Sequence, residues 1–217
     1  MTRRRLMALK KSGSSVGLPE GYTAVDYIQN TVTAFKQYYF DTEIIATQNT
    51  VVEVKYAAKL LHQNGYFLFG SRLNSNTSRF FCYLDSNSGG RNIFAYGHGS
   101  AESNVGVLND QIIICKYSSD GVVKMDENGN VLKTANVSTS DDFTTFHSLL
   151  LCQCWSGNDV SPNRDFMGNI YYAKIYDGEN LVRDFKPCLD ANGVPCLYDL
   201  ISKTAFYNQG SGSFTWG

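Results

Sequence analysis

The residues able to do covalent or metal chemistry are few and scattered. His62, His98 and His147 form no His-x-His or His-x-x-x-His pair, and no nucleophile elbow accompanies them. Satisfied or surface histidines are therefore the reading for all three. The six glutamates are Glu20, Glu43, Glu53, Glu102, Glu127 and Glu179, well separated along the chain. Glycoside hydrolysis needs two carboxylates held at close separation. Asp141 and Asp142 are adjacent, so on a strand their side chains would diverge to opposite faces; they read as solvated turn acids. Ser88-Gly89-Gly90-Arg91 follows a strand but opens no helix, so it reads as a turn rather than a phosphate loop. No dense Asp/Asn run suits calcium, and the cysteines have no zinc spacing. We expect no enzyme, no metal and no cofactor.

Residues able to bind without reacting are better grouped. A sugar is held by an aromatic face against the C–H side of its ring and by polar groups on its hydroxyls. Trp155, Asn158, Asp159 and Arg164 fall within ten residues of one another, after the apolar run Ser148-Leu149-Leu150-Leu151-Cys152-Gln153-Cys154-Trp155. Tyr96 and His98, in Tyr96-Gly97-His98-Gly99, are a second candidate pair. Trp155 also has a plainer reading, as an aromatic at the edge of a core. Trp216 is expected to close the core beside the start of the chain.

The elements that must position these residues read as strands. Aromatics make up 13% of the 217 residues, and the 19 glycines come with many Asn and Ser, which suits short strands joined by turns. In Val51-Val52-Glu53-Val54-Lys55-Tyr56 the apolar residues alternate with charged ones, which predicts Val52, Val54 and Tyr56 on one face. Arg79-Phe80-Phe81-Cys82-Tyr83-Leu84, Asn92-Ile93-Phe94-Ala95-Tyr96, Ile112-Ile113-Ile114-Cys115-Lys116-Tyr117 and Asn169-Ile170-Tyr171-Tyr172-Ala173-Lys174-Ile175-Tyr176 are further strands. The run from Ser148 to Trp155 is apolar on both faces, as a central strand would be. Asn128-Gly129, Asp177-Gly178 and Asn192-Gly193 mark hairpin turns. About a dozen short strands at this spacing predict an all-β fold: a two-sheet antiparallel jelly-roll β-sandwich over residues 18–217.

Residues 1–17 form a different unit. Arg3, Arg4, Arg5, Lys10 and Lys11 are its charged side chains, with no acid among them. The other 200 residues then hold 14 of the 19 cations against all 20 acids, a net charge of −6. That is not the surface of a nucleic-acid-binding fold. The only apolar run of the arm, Leu6-Met7-Ala8-Leu9, is too short for a secretory signal. Without such a signal the six cysteines read as buried thiols. On a continuous strand Cys152 and Cys154 would share a face. Cys188 and Cys196 flank the turn Asp190-Ala191-Asn192-Gly193, and the spacing leaves open whether they are bonded. No apolar run approaches the length of a membrane-spanning helix.

The C-terminal third carries a specific pattern: Gly168-Asn169-Ile170-Tyr171-Tyr172-Ala173-Lys174-Ile175-Tyr176-Asp177, then Leu181-Val182-Arg183-Asp184-Phe185-Lys186-Pro187-Cys188, Leu197-Tyr198-Asp199-Leu200 and Phe206-Tyr207-Asn208-Gln209-Gly210. With the opening Leu18-Pro19-Glu20-Gly21-Tyr22 and Val25-Asp26-Tyr27-Ile28, it resembles the concanavalin A-like lectin/glucanase superfamily, in the laminin-G-like jelly-roll form found in gut bacteria and their phages. Val32-Thr33-Ala34-Phe35-Lys36 and the loop from Ser156 to Arg164 depart from that pattern. Glucanases of the superfamily share a Glu-x-Asp-x-x-Glu strand; none of the six glutamates here has Asp two residues later. The resemblance implies the fold more firmly than any activity. The expectation is a phage virion protein of fibre, tail or head decoration. Arg3, Arg4, Arg5, Leu6, Met7, Leu9, Lys10 and Lys11 would anchor it to other virion proteins, and an oligomeric, lectin-like domain would face a surface glycan. A bacterial carbohydrate-binding or adhesion module is the alternative, and a glycoside hydrolase a more distant one.

Overall fold

The computed structural model describes residues 17–30, 36–59, 65–73, 78–85, 90–97, 102–137 and 142–217. The anchoring residues of the N-terminal arm, and His62 and His98, lie outside them. The first strands are β1 (Thr23–Ala24), β2 (Ile28–Asn30), β3 (Phe40–Thr47) and β4 (Thr50–Ala58). Next come β5 (Tyr66–Ser71), β6 (Arg79–Asp85), β7 (Arg91–Gly97), β8 (Glu102–Asn104), β9 (Ile112–Ser118), β10 (Gly121–Met125) and β11 (Val131–Ala135). The chain continues through β12 (Thr144–Leu151), β13 (Trp155–Ser156), β14 (Asp159–Val160), β15 (Gly168–Asp177) and β16 (Asn180–Leu189). It ends with β17 (Pro195–Asp199), β18 (Thr204–Tyr207) and β19 (Thr215–Trp216).

These strands form two large antiparallel sheets. One runs β11-β10-β9-β4-β15-β16-β17-β18, with β1 on β16, β2 on β15 and β19 on β2; the other runs β3-β12-β5-β6-β7-β8. Sequence neighbours β3 and β4 lie in different sheets, and β4 pairs with β15 across the chain. Such crossing connections are those of a jelly-roll sandwich. In β4 the alternation holds as predicted: Val52, Val54 and Tyr56 are buried, while Glu53 and Lys55 are half-buried. Glu53 accepts from Tyr172 Oη at 3.1 Å.

Between the sheets lies an aromatic core. Phe69, Phe80, Phe94 and Tyr117 meet with centroids 4.9–6.4 Å apart, and Tyr96 and Phe143 extend the cluster. Phe214 stacks on Phe40 at 4.8 Å and closes the end of the core. Trp216 does pair with Ile28 near the start of the domain, but it is half exposed, so Phe214 takes the closing role expected of Trp216. Gly168 opens β15 at φ 137°, and a Cβ there would meet Ala57 O at 2.1 Å, so only glycine fits this close backbone approach.

One buried polar cluster crosses the interior. Asn92 Nδ2 donates to Tyr56 Oη at 2.8 Å and Tyr117 Oη at 2.9 Å, and Cys82 Sγ donates to Asn92 Oδ1 at 3.2 Å. All four residues are fully buried. Burial pushes both phenols, and the Cys82 thiol, well above their ordinary ranges, with nearby Cys115 adding to it.

Asp199 clamps the last hairpin. Its carboxylate accepts Asp184 N at 2.7 Å, Ile201 N at 3.1 Å and Ser202 N at 3.1 Å, and Arg183 Nε lies 3.7 Å away. Burial alone would raise its pKa, but the hydrogen bonds from Ser202, Asp184 and Ile201 hold it below the ordinary aspartate range. A lowered folded-state value means stability that is present above the ordinary aspartate range and lost as pH falls through it. Asp199→Asn should therefore cost about 1–3 kcal/mol near pH 7. Denaturant melts of both chains should show that gap closing as pH drops below the ordinary aspartate range.

Candidate binding groove beside Trp155

The segment after β12 departs from a strand. Cys152 takes φ 68°, outside the strand region, and this breaks the alternation at the end of β12. Cys152 packs into the main core, whereas Cys154 joins Phe67, Phe81 and Ala95 in a separate cluster. The expected shared face of Cys152 and Cys154, and a strand continuing to Trp155, are corrected by that one left-handed residue. The segment is tied down on both sides: Cys152 N donates to Leu68 O at 2.8 Å, Phe166 N to Cys152 O at 2.8 Å and Gly157 N to Arg72 O at 3.1 Å. A two-residue ladder, Trp155 opposite Val160 and Ser156 opposite Asp159, then presents the indole.

Trp155 stacks on His147, centroids 4.6 Å apart and planes 27° from parallel. It lines a groove of about 430 Å³ together with Tyr39, Asp41, Glu43, Tyr207 and Gln209. The groove lies where the edge strand of one sheet, β3, touches that of the other, β18. Two features fix this meeting. Asn208 Oδ1 accepts Tyr39 N at 2.9 Å and Gln209 N donates to Tyr39 O at 2.9 Å, which fastens the loop after β18 to the start of β3. Gly210 in that loop has no room for a Cβ, which would lie 2.0 Å from Gln37 O.

A bulge shapes the acidic wall. Ser148 faces Ile45 and Leu150 faces Asp41, so three residues of β3 oppose one of β12. Glu43 sits in this bulge at φ 60°. Asp41 Oδ1 accepts Glu43 N at 2.9 Å, and Arg183 Nη2 lies 3.6 Å from Glu43 Oε2. Glu43 is 70% exposed. Aromatic rings, two carboxylates and one amide therefore share the groove, and among the described residues no Lys or Arg lines it. Among the described residues, no three His, Cys, Asp or Glu side chains gather where a metal ion would sit.

The residues singled out in the sequence are distributed as follows. Trp155 lines the groove, and Asn158 and Asp159 are exposed at the tip of its hairpin. Arg164 is turned to Tyr83, donating to its Oη at 2.6 Å with the guanidinium 5.6 Å from the ring centre. Tyr96 is a core residue rather than a platform: it is 2% exposed, packed on Phe143, and its Oη donates to Gln48 O at 3.0 Å. Tyr39, Asp41, Glu43, Tyr207 and Gln209 were not distinguished by any spacing signal; only the edge-to-edge meeting of β3 and β18 assembles them.

No protein-family model matches the chain, and no curated protein is similar to it in sequence. Among solved structures it is similar to the native heptameric SAP-like pentraxin from Limulus polyphemus, with a TM-score of 0.51 and 13% sequence identity, over 71% of this chain and 76% of that one. At that identity the likeness is one of fold. The strand topology and this likeness together give the chain a two-sheet antiparallel jelly-roll sandwich fold.

Proposed function

We propose that this chain is a non-catalytic saccharide-binding protein whose groove beside Trp155 takes neutral sugar residues. The observation that carries the reading is the indole held on His147 next to the carboxylates of Asp41 and Glu43. The aromatic wall suits the C–H face of a pyranose, and the carboxylates and Gln209 suit its hydroxyls. The groove falls within the ordinary ligand-pocket range of about 300–1,000 Å³. Its acidic wall disfavours sialylated or uronate sugars, whose own carboxylates would be set against Asp41 and Glu43.

A single shallow site of this kind binds weakly, near the millimolar range of about −4 kcal/mol. Useful attachment then needs many copies. The basic arm supplies a means: Arg3, Arg4 and Arg5, with Leu6, Met7 and Leu9, would hold the chain to other proteins of a phage virion, as a homo-oligomer in a fibre, tail or head decoration. A charged, Ser/Gly-jointed arm suits a docking segment more than a part of the sandwich.

A glycan array probed with the full chain tests the saccharide reading. Retention on neutral oligosaccharides, with acidic glycans near background, is expected. No binding across plant, bacterial and host sugars removes the reading, and turnover of a β-glucan that one carboxylate substitution abolishes would replace it with a hydrolase.

A further inference from the structure

Cys188 and Cys196 stand directly opposite each other on β16 and β17. Their sulfurs are 3.3 Å apart, and both residues are fully buried. The register at this point is unambiguous. Asp190 N donates to Val194 O at 3.0 Å, and in an antiparallel ladder hydrogen-bonded and open pairs alternate. Leu189–Pro195 and Pro187–Leu197 are then open pairs, where a proline loses no ladder bond. Cys188–Cys196 lies between them, with the Cα separation of about 5.5 Å usual for a hydrogen-bonded pair. That is the middle of the disulfide range of about 4.4–6.8 Å.

We propose that Cys188 and Cys196 are an oxidisable pair, and that a disulfide between them staples β16 to β17 beneath the N-terminal segment of the domain. The pair lies on the side of the sheet away from the main core, in a small cluster with Tyr198 that Leu18, Tyr22, Leu200 and Ala205 cover. Ala24 of β1 faces Cys188 from the other side. The staple therefore sits under the residues through which the arm joins the sandwich.

A small disulfide such as oxidised glutathione supplies the oxidising equivalents. One cysteine thiolate attacks it, forming a mixed disulfide and releasing one glutathione thiolate. The second cysteine thiolate attacks the protein sulfur of that mixed disulfide, forming the Cys188–Cys196 bond and releasing the second. Two protein thiols become one disulfide, the two electrons reduce the glutathione disulfide, and the two protons end on two glutathiones. Either cysteine can make the first attack, because its partner's sulfur lies 3.3 Å away and its S–H can donate to the thiolate as it forms. Because neither sulfur is exposed, reaction waits on opening of the corner under Leu18 and Tyr22.

The other cysteines do not compete by geometry. Cys82 hydrogen-bonds to Asn92 and Cys115 lies against Tyr56 Oη, so each is engaged by the polar cluster, and Cys152 and Cys154 belong to different clusters. The inference is independent of the saccharide reading. It is tested by holding the folded full chain with oxidised glutathione, then denaturing, alkylating and weighing it. Six alkyl groups are expected on the reduced chain and four on the oxidised one. The tryptic peptide of residues 184–203, which contains both cysteines, should be unalkylated and lighter by two hydrogens. Oxidation should raise Tm by about 5–10 °C, reversibly with a reductant, and proceed faster in mild denaturant. Six alkyl groups after oxidation, a bond between other cysteines, or an unmoved Tm overturns the proposal. So does a redox-dependent Tm shift that persists in the Cys188→Ser, Cys196→Ser double variant.

Discussion

Asn92→Ala should destabilise the protein by about 3–5 kcal/mol, and a thermal melt should fall by roughly 8–15 °C. The amide occupies the centre of the interior and spends both hydrogens of Nδ2 on Tyr56 and Tyr117 while its oxygen takes the Cys82 thiol. Alanine removes all three bonds at once and leaves a void among fully buried residues. Each orphaned hydroxyl costs about 1–3 kcal/mol, and the cavity adds to that. A domain has only about 5–15 kcal/mol of net stability, so this one change uses a large share. Asn92→Asp keeps the shape but places a carboxyl among groups that burial already holds protonated. Its folded-state pKa is raised, so its stability deficit should widen as pH rises above the ordinary aspartate range. An Asn92→Ala melt within a degree or two of the parent would mean that the cluster contributes little.

Trp155→Ala should lower saccharide affinity about 10- to 100-fold, a loss of roughly 1.4–2.8 kcal/mol, while leaving the fold intact. The indole is one wall of the groove and stands outside the aromatic core, on a hairpin whose anchors are backbone bonds from Cys152, Gly157 and Phe166. Those anchors survive the substitution. The ring is also preorganised, since His147 beneath it fixes its plane, and a rigid aromatic loses little freedom when a sugar settles on it. His147→Ala should therefore weaken binding too, but less, because the indole remains and only its support is lost. With a parent affinity near millimolar, a tenfold loss at Trp155 removes measurable binding by calorimetry. Binding of Trp155→Ala within twofold of the parent would put the sugar elsewhere on the domain.

The parts of the fold that local patterning controls were legible in the sequence. Alternation in β4 and the Asn-Gly and Asp-Gly turns around Gly129, Gly178 and Gly193 gave strands and hairpins where the structure has them. Single-residue backbone events were not legible. Cys152 reads as one more apolar residue of a strand, yet its left-handed φ ends β12 and sends Cys154 to another cluster. Asn92 reads as a polar residue at a strand start, and nothing in its neighbours says that two tyrosines from the facing sheet converge on it. The groove was half legible. Trp155 stood out by type, but Asp41 and Glu43 come from β3, and Tyr207 and Gln209 lie more than 160 residues later. Periodicity tells which face of a strand is buried; it does not tell which two sheet edges meet. Arg164 lies near Trp155 in sequence, but the stack on Tyr83 claims it for the other side of the loop.

Trp155 offers the most direct test of the groove, because the chain holds only two tryptophans and the other, Trp216, is half exposed at the C-terminal strand. In a Trp216→Phe chain all indole emission comes from Trp155. Titration with neutral oligosaccharides should shift that emission saturably, and an equal concentration of a sialylated or uronate sugar should leave it nearly unchanged. Emission that stays flat to tens of millimolar across the neutral panel would contradict a sugar in contact with Trp155.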